Sequence, residues 1–357
     1  MAEILSDENY NGRPQHPPFA DVLLARTIRR LKQAFGVLRP FYVSAFHGYG
    51  CDDSIILQGR VVERLEIGSS KKDDPWWRNL RNMIRVFLRA RAEKALLTAT
   101  IQGQSVAITT DEIGYFRKEV PLREKLDRPG WVDVHFDLQR IPGYREISRQ
   151  GGKILSIPTS TRRSPGIISD IDDTIVETFA TDLLMTARLT FINNSTTRTA
   201  VDGMAELYNA IIRSTSALSP VFYITSSSWS LYHLWTEFLD LQKFPQGPLL
   251  MQKIGLANNK LIRKGHHHKI EKIETVLRMT KDLPFFLIGD NGQADRQIYF
   301  DIASRHPHRV AAVCIRVARE KAKPFTADYA SIGVPYFEFE NGFSLREKLV
   351  AKGLIAG

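Results

Sequence analysis

The chain has 357 residues, 43% of them hydrophobic and 25% charged, which is too long for one ordinary core and suits two domains. No run of about 18 apolar residues occurs, which excludes a membrane-spanning helix. The formal net charge of +10 favours anionic partners such as phosphorylated substrates or anionic lipid; nucleic acid is the minority reading, because zinc-finger spacings and RNP-type aromatic sequences are missing.

Residues 1–39 read as a polar, proline-bearing arm followed by one amphipathic helix over 19–38. The arm lacks the basic and apolar regions of a secretion signal, so the expectation is a cytoplasmic protein. From 40 to 155 the pattern changes to short alternating segments such as "SIILQGRVVERLEI" and "WVDVHFDLQ", broken by Gly, Asp and Pro; this predicts a β-sandwich-like domain. A helix over 75–94 is inserted in it. Residues 156–166, rich in Ser, Thr, Pro and Arg, read as a linker. From 167 to 357, unalternated apolar runs ("GIISDI", "PVFYITSS", "PFFLIGD", "RVAAVCIR") separate helical stretches. That order predicts an α/β domain with a parallel sheet covered on both faces. The two cysteines, Cys51 and Cys314, read as free thiols.

The chemistry-bearing residues fall at the ends of those apolar runs, where open parallel sheets build their sites. Asp170 and Asp172 close the first run and, in extended chain, point the same way. Thr225 and Ser226 close the second. Asp290 closes the third, with Asp295 in the following loop. Clustered carboxylates raise one another's pKa unless a cation relieves them. Many acids without cysteine suit a hard, oxygen-preferring cation such as Mg²⁺. Lys269, read at the opening of the helix before the third run, adds positive charge. Cation, lysine and hydroxyl together suit a phosphoryl group.

In "DIDDT", Thr225, Lys269 and "GDNGQAD" the chain resembles the haloacid-dehalogenase (HAD) superfamily of aspartate-nucleophile phosphotransferases. The order "SDIDDT", "YITSSSW", "HK", "FFLIGDNGQADRQIY" is closer still to the actin-patch-protein-type Mg²⁺-dependent phosphatidate phosphatases. The resemblance implies a HAD-like domain after the β-domain, and hydrolysis of phosphatidate to diacylglycerol through an aspartyl-phosphate. It implies Asp170 as nucleophile, Asp172 as general acid/base, and Thr225 and Lys269 at the phosphoryl group. It implies Mg²⁺ held by Asp170, Asp172 (through its backbone carbonyl), Asp290 and Asp295. Thr174 (a turn residue), Ser226, His268 and Asn291 are expected on the substrate side. The chain departs from that branch at Thr225-Ser226-Ser227-Ser228-Trp229, where the branch carries Ser-Asn-Ser-Pro-Trp; threonine keeps the hydroxyl.

"GHHHK", ending at Lys269, reads as a loop with a substrate-facing role rather than a metal site, because adjacent histidines seldom address one ion. Residues 75–94 set Trp76, Trp77, Leu80, Ile84, Phe87 and Leu88 against Arg78, Arg81, Arg85 and Arg89. Such a helix can lie on anionic lipid as a peripheral membrane contact, or pack on the β-domain; both readings stay open. About 50 residues separate the first two motifs, too few for a large cap, so an open site is expected. Hydrolysis of a soluble phosphomonoester, and a non-catalytic lipid-surface module, are the alternatives to phosphatidate hydrolysis.

Overall fold

The computed structural model describes residues 19–65, 85, 88–126, 129–142, 148–157, 165–176, 200–215, 219–252, 261–292, 294–318, 325 and 327–357. Helix α1 (Phe19–Ala34) comes first. It stops short of the expected Leu38 because Gly36 turns left-handed (φ 64°) and Val37 N bonds back to Lys32 O.

Seven strands follow: β1 (Phe41–Gly50), β2 (Ser54–Glu63), β3 (Leu96–Ile101), β4 (Gln104–Thr109), β5 (Tyr115–Pro121), β6 (Gly130–Arg140) and β7 (Ser148–Ser156). They form one sheet in the order β4-β3-β6-β7-β1-β2-β5, not the two stacked sheets of a sandwich. The sheet curls like a barrel, bringing its edge strands together: Lys118 Nζ reaches Ala107 O (2.8 Å) and Gln104 Nε2 reaches Pro121 O (2.9 Å). Ile55, Leu57, Leu97, Phe136 and Ile154 fill the inside of the curl. Every pairing is antiparallel except β1 with β7.

Of the helix expected over 75–94, residues 75–84, 86 and 87 lie outside the described residues. The helix does not reach Lys94. Ala92 N donates to Val61 O (3.0 Å) and Arg91 bridges Val62, which draws the segment onto β2 as turns. Of the residues on the two expected faces, Leu88 is exposed and Arg89 is buried.

The second sheet holds β8 (Gly166–Asp170), β9 (Val221–Ser228), β10 (Leu249–Gln252), β11 (Phe285–Asp290), β12 (Val310–Arg316) and β13 (Tyr336–Phe339). Its order is β10-β9-β8-β11-β12-β13 and all its pairings are parallel, as the unalternated runs predict. Helices α2 (Met204–Thr215), α3 (Tyr232–Leu241) and α6 (Gly342–Ala351) pack on one face, against Ile167, Tyr223 and Ile288. Helices α4 (Leu261–Met279) and α5 (Asp295–Arg305) pack on the other, against Ile168, Phe222 and Leu287. Residues 265–269 run inside α4, not in a loop; one glycine, Gly265, costs a helix only about 1 kcal/mol, which packing overrides.

The two sheets pack together. Phe46 stacks on Trp229 (4.6 Å, 5° between rings), His47 N donates to Tyr232 Oη (2.8 Å), and Arg278 pairs with Glu119 through two 2.7 Å bonds. Cys51 and Cys314 are both buried free thiols. No helix among the described residues is long and apolar enough to cross a membrane.

Candidate active site

Strand β8 is buried along its whole length because neighbours flank it on both edges and helices cover both faces. From β8 the chain moves outward to β9 and β10, then returns to β11 on the other side. The C-terminal ends of β8 and β11 therefore meet where the order reverses, the place at which open α/β sheets form a crevice. The register Ser169↔Ile288 sets Asp170 beside Gly289, one residue before Asp290.

Asp170, Asp290 and Asp295, all buried, bring carboxylate oxygens within 4.8 Å of one another. Asp295 starts α5 and reaches back over β11. Gly289 makes room for it, since a Cβ there would lie 2.7 Å from Asp295 Oδ2. From the opposite side Lys269, buried in α4, places Nζ 2.7 Å from Asp170 Oδ1 and 2.6 Å from Asp295 Oδ1. Burial pushes the Asp170 carboxyl well above the usual range; Lys269 opposes this, and Asp295, Asp172 and Asp290 add to it. Burial, then Asp295, pushes Asp290 up to about 7. Burial alone would lower the Lys269 ammonium, but Asp170 and Asp295 outweigh it and hold it above its ordinary value.

One ammonium among three carboxylates leaves two negative charges to balance. Asp170 Oδ2 and Asp295 Oδ2 are buried without a hydrogen-bond partner among the described residues. An all-oxygen donor set with orphaned oxygens and that charge fits a hard divalent cation.

Asp172 stands apart from this cluster. Its Oδ2 accepts a 2.8 Å bond from Thr225 Oγ1, which in turn accepts from Ser227 N (3.0 Å). Asp173 follows in the left-handed region (φ 59°), and Arg316 Nη1 donates to its carbonyl (2.8 Å). Arg316, at the end of β12, thus ties down the turn that carries Asp172. The sequence reading passes over Arg316, although a cation at a parallel strand's C-terminal end is the signal that could have found it.

The substrate-side residues scatter. Thr174 is buried, and its hydroxyl has no partner among the described residues; the turn is closed by backbone bonds from Thr174 N and Ile175 N to Ile171 O. Asn291 Oδ1 accepts from Ala318 N (2.9 Å) and Asn291 N donates to Arg316 O (2.9 Å), so this residue ties the ends of β11 and β12. His268 turns toward the Met251 carbonyl; burial, then Lys272 and Lys269, push it down to about 2. Ser226 is half-buried beside Thr225. Residues 177–199, on which the open-site expectation rests, lie outside the described residues.

Residues 165–317 match the family model described as the catalytic domain of phosphatidate phosphatase APP1. An uncharacterized protein of Schizosaccharomyces pombe is 26% identical over 165 residues, 45% of this chain and 26% of that protein. Phosphatidate phosphatase APP1 of Saccharomyces cerevisiae is 30% identical over 153 residues, 42% of this chain and 25% of that protein. The chain spans about a quarter of the length of these curated relatives. Among solved structures, a β-glucuronidase of Parabacteroides merdae is 11% identical and covers 78% of this chain and 34% of that one; its TM-score of 0.26 carries no structural argument. Residues 165–317 are thus similar to the catalytic domain of the APP1-type phosphatidate phosphatases.

Proposed function

We propose that the chain is a HAD-like phosphomonoester hydrolase that converts phosphatidate to diacylglycerol and phosphate. The observation that carries this reading is the position of Asp170. It ends the central strand within 4.8 Å of Asp290 and Asp295, with Lys269 at 2.7 Å and the Thr225-bonded Asp172 two residues on. The family match supplies the substrate class.

In this reading an Asp170 oxygen attacks phosphorus as the bond to the lipid alcohol breaks. Asp172 gives that alcohol its proton. Water then cleaves the aspartyl-phosphate, and Asp172 takes up the water's proton. Thr225 holds Asp172 for both transfers. Lys269 favours the ionised, nucleophilic form of Asp170. Asp170, Asp290 and Asp295 would hold Mg²⁺, joined in the family pattern by the Asp172 carbonyl; when bound it would neutralise charge on the transferring group. The substrate would be met at a membrane surface by a cytoplasmic protein, with 75–94 as a candidate peripheral contact.

The test is phosphate release from phosphatidate in mixed micelles, with Mg²⁺ and with EDTA, beside a panel of soluble phosphomonoesters and the Asp170→Asn variant. The expected result is release that needs metal, prefers the lipid and is lost in Asp170→Asn with the fold intact. Release from soluble esters alone discards the lipid. Liposome binding without release from any substrate sinks the hydrolase and returns the lipid-surface module.

A further inference from the structure

Away from the carboxylates, the outer face of the first sheet buries two cations that no carboxylate of the described residues pairs with directly. Arg60, on β2, faces Ser44 of β1 and Tyr115 of β5 in register and is only 2% exposed; Arg89 is 7% exposed. Neither makes an ion pair with a carboxylate of the described residues. Arg60 Nη1 has two long contacts, to Ser230 Oγ (3.4 Å) and Tyr115 Oη (3.5 Å), and its guanidinium stands 5.9 Å from the Tyr115 ring. The Nε atoms of both arginines are buried without a hydrogen-bond partner among the described residues. Glu63, the carboxylate in the vicinity, is already taken: Lys32 Nζ (2.5 Å), Ala90 N (3.0 Å) and Arg39 N (3.1 Å) donate to it.

The two guanidiniums are close enough to feel each other. Burial lowers the Arg89 guanidinium and the charge of Arg60 adds to this, while a side-chain hydrogen bond with Tyr42 and the Glu63 carboxylate oppose it without reversing it. His233 closes the cluster from α3, its Nε2 3.0 Å from Ser44 Oγ; desolvation, then Arg60 and Arg89, lower it to about 4. Arginine does not shed its proton, so a buried pair without counter-charge is unfavourable by several kcal/mol unless an anion joins it. Guanidinium N–H groups match a tetrahedral oxyanion, which they can bind in bidentate fashion.

We propose that Arg60 and Arg89, with Ser44, Ser230 and His233 around them, form a second anion site that takes a phosphate-type oxyanion. The site lies between the first sheet and the turn Trp229–Leu231, which begins four residues after Thr225. A bound anion would therefore brace the segment leading out of the catalytic strand. This inference rests on charge and burial and stands whether or not the chain hydrolyses phosphatidate.

The experiment is calorimetric titration of the full chain in EDTA with inorganic phosphate, sulfate, and phosphatidylcholine vesicles with and without phosphatidate. Arg60→Gln, Arg60→Lys and Arg89→Gln are run alongside. The expected result is saturable binding that Arg89→Gln weakens by about tenfold or more, as the loss of a charge-assisted contact requires. Each Gln variant should also match or exceed the wild-type Tm without anion, since it removes an unbalanced charge; if Arg60→Gln fails to fold, Arg60→Lys and Arg89→Gln carry the comparison. Variant-sensitive binding of phosphate and sulfate alone identifies a free oxyanion, and of phosphatidate vesicles a lipid headgroup. Binding that no variant changes, or no saturable binding of any probe, overturns the proposal and makes the arginines structural.

Discussion

Thr225 Oγ1 donates a 2.8 Å hydrogen bond to Asp172 Oδ2 across the ends of two adjacent parallel strands. The expectation for Thr225 is contact with phosphoryl oxygens; in this structure its hydroxyl is engaged with Asp172, the residue proposed as acid/base. A donated bond fixes the carboxylate's position and rotamer. Thr225→Val should therefore lower kcat by about tenfold to a hundredfold, within the range of a positioned proton-transfer group. Thr225→Ser should keep most of the activity. An unchanged kcat in the valine variant would dissociate this bond from turnover.

Lys269 is the shared counter-charge of Asp170 and Asp295. Removing one partner of a buried ion pair costs about 3 kcal/mol or more, because the other charge is left uncompensated. Lys269→Met should lose about that much stability in urea unfolding with EDTA. Neutralising the stranded acid in Lys269→Met/Asp295→Asn should recover a large part of it. Equal stability of wild type and Lys269→Met would show that the lysine does not compensate these charges.

Gly289 leaves the space that Asp295 fills. In Gly289→Ala the new methyl group meets Asp295 Oδ2 and the Tyr299 ring, both 2.7 Å from the Cβ position. Asp295 must then move away from Asp170. We expect half-maximal phosphate release to need about tenfold more Mg²⁺, a cost of about 1.4 kcal/mol in binding. The same Mg²⁺ dependence in both proteins would remove Asp295 from the cation site.

The pH dependence follows from Asp290, which is pushed up to about 7 by burial and Asp295. Because this exceeds the unfolded value of about 3.9, the folded state binds the extra proton between the two, and stability falls as pH rises through that window. With EDTA, the Tm of the wild type relative to Asp290→Asn should decline from about pH 4 to about pH 7; the buried His268 and His233, held down to about 2 and about 4, act in the opposite sense but equally in both proteins. With Mg²⁺ the decline should flatten, since a bound cation replaces the proton. A Tm difference between wild type and Asp290→Asn that rises with pH in EDTA would reverse the assignment.

Two kinds of information separate in this chain. Asp170 and Asp172, the parallel sheet and the strand-end location of the acids are legible locally. A fully buried strand must be apolar on both faces, and side chains two residues apart share a side. The bend of the first seven strands into one curled sheet is not legible, because alternation marks a buried face without saying which strands pair. Residues 265–269 look like a loop from Gly265 and its histidines, yet packing of α4 against the sheet makes them helical.

The sequence alone therefore determined the acids, their order and the strands that end in them, since each depends on neighbours a few residues away. Tertiary structure decided that Lys269 serves Asp170 and Asp295 together, that Thr225 serves Asp172, that Arg316 holds the Asp173 carbonyl, and that Arg60 and Arg89 are both buried. Each of those relations joins residues distant in the chain. Their distances are set by strand register and helix position, which only the packed core defines.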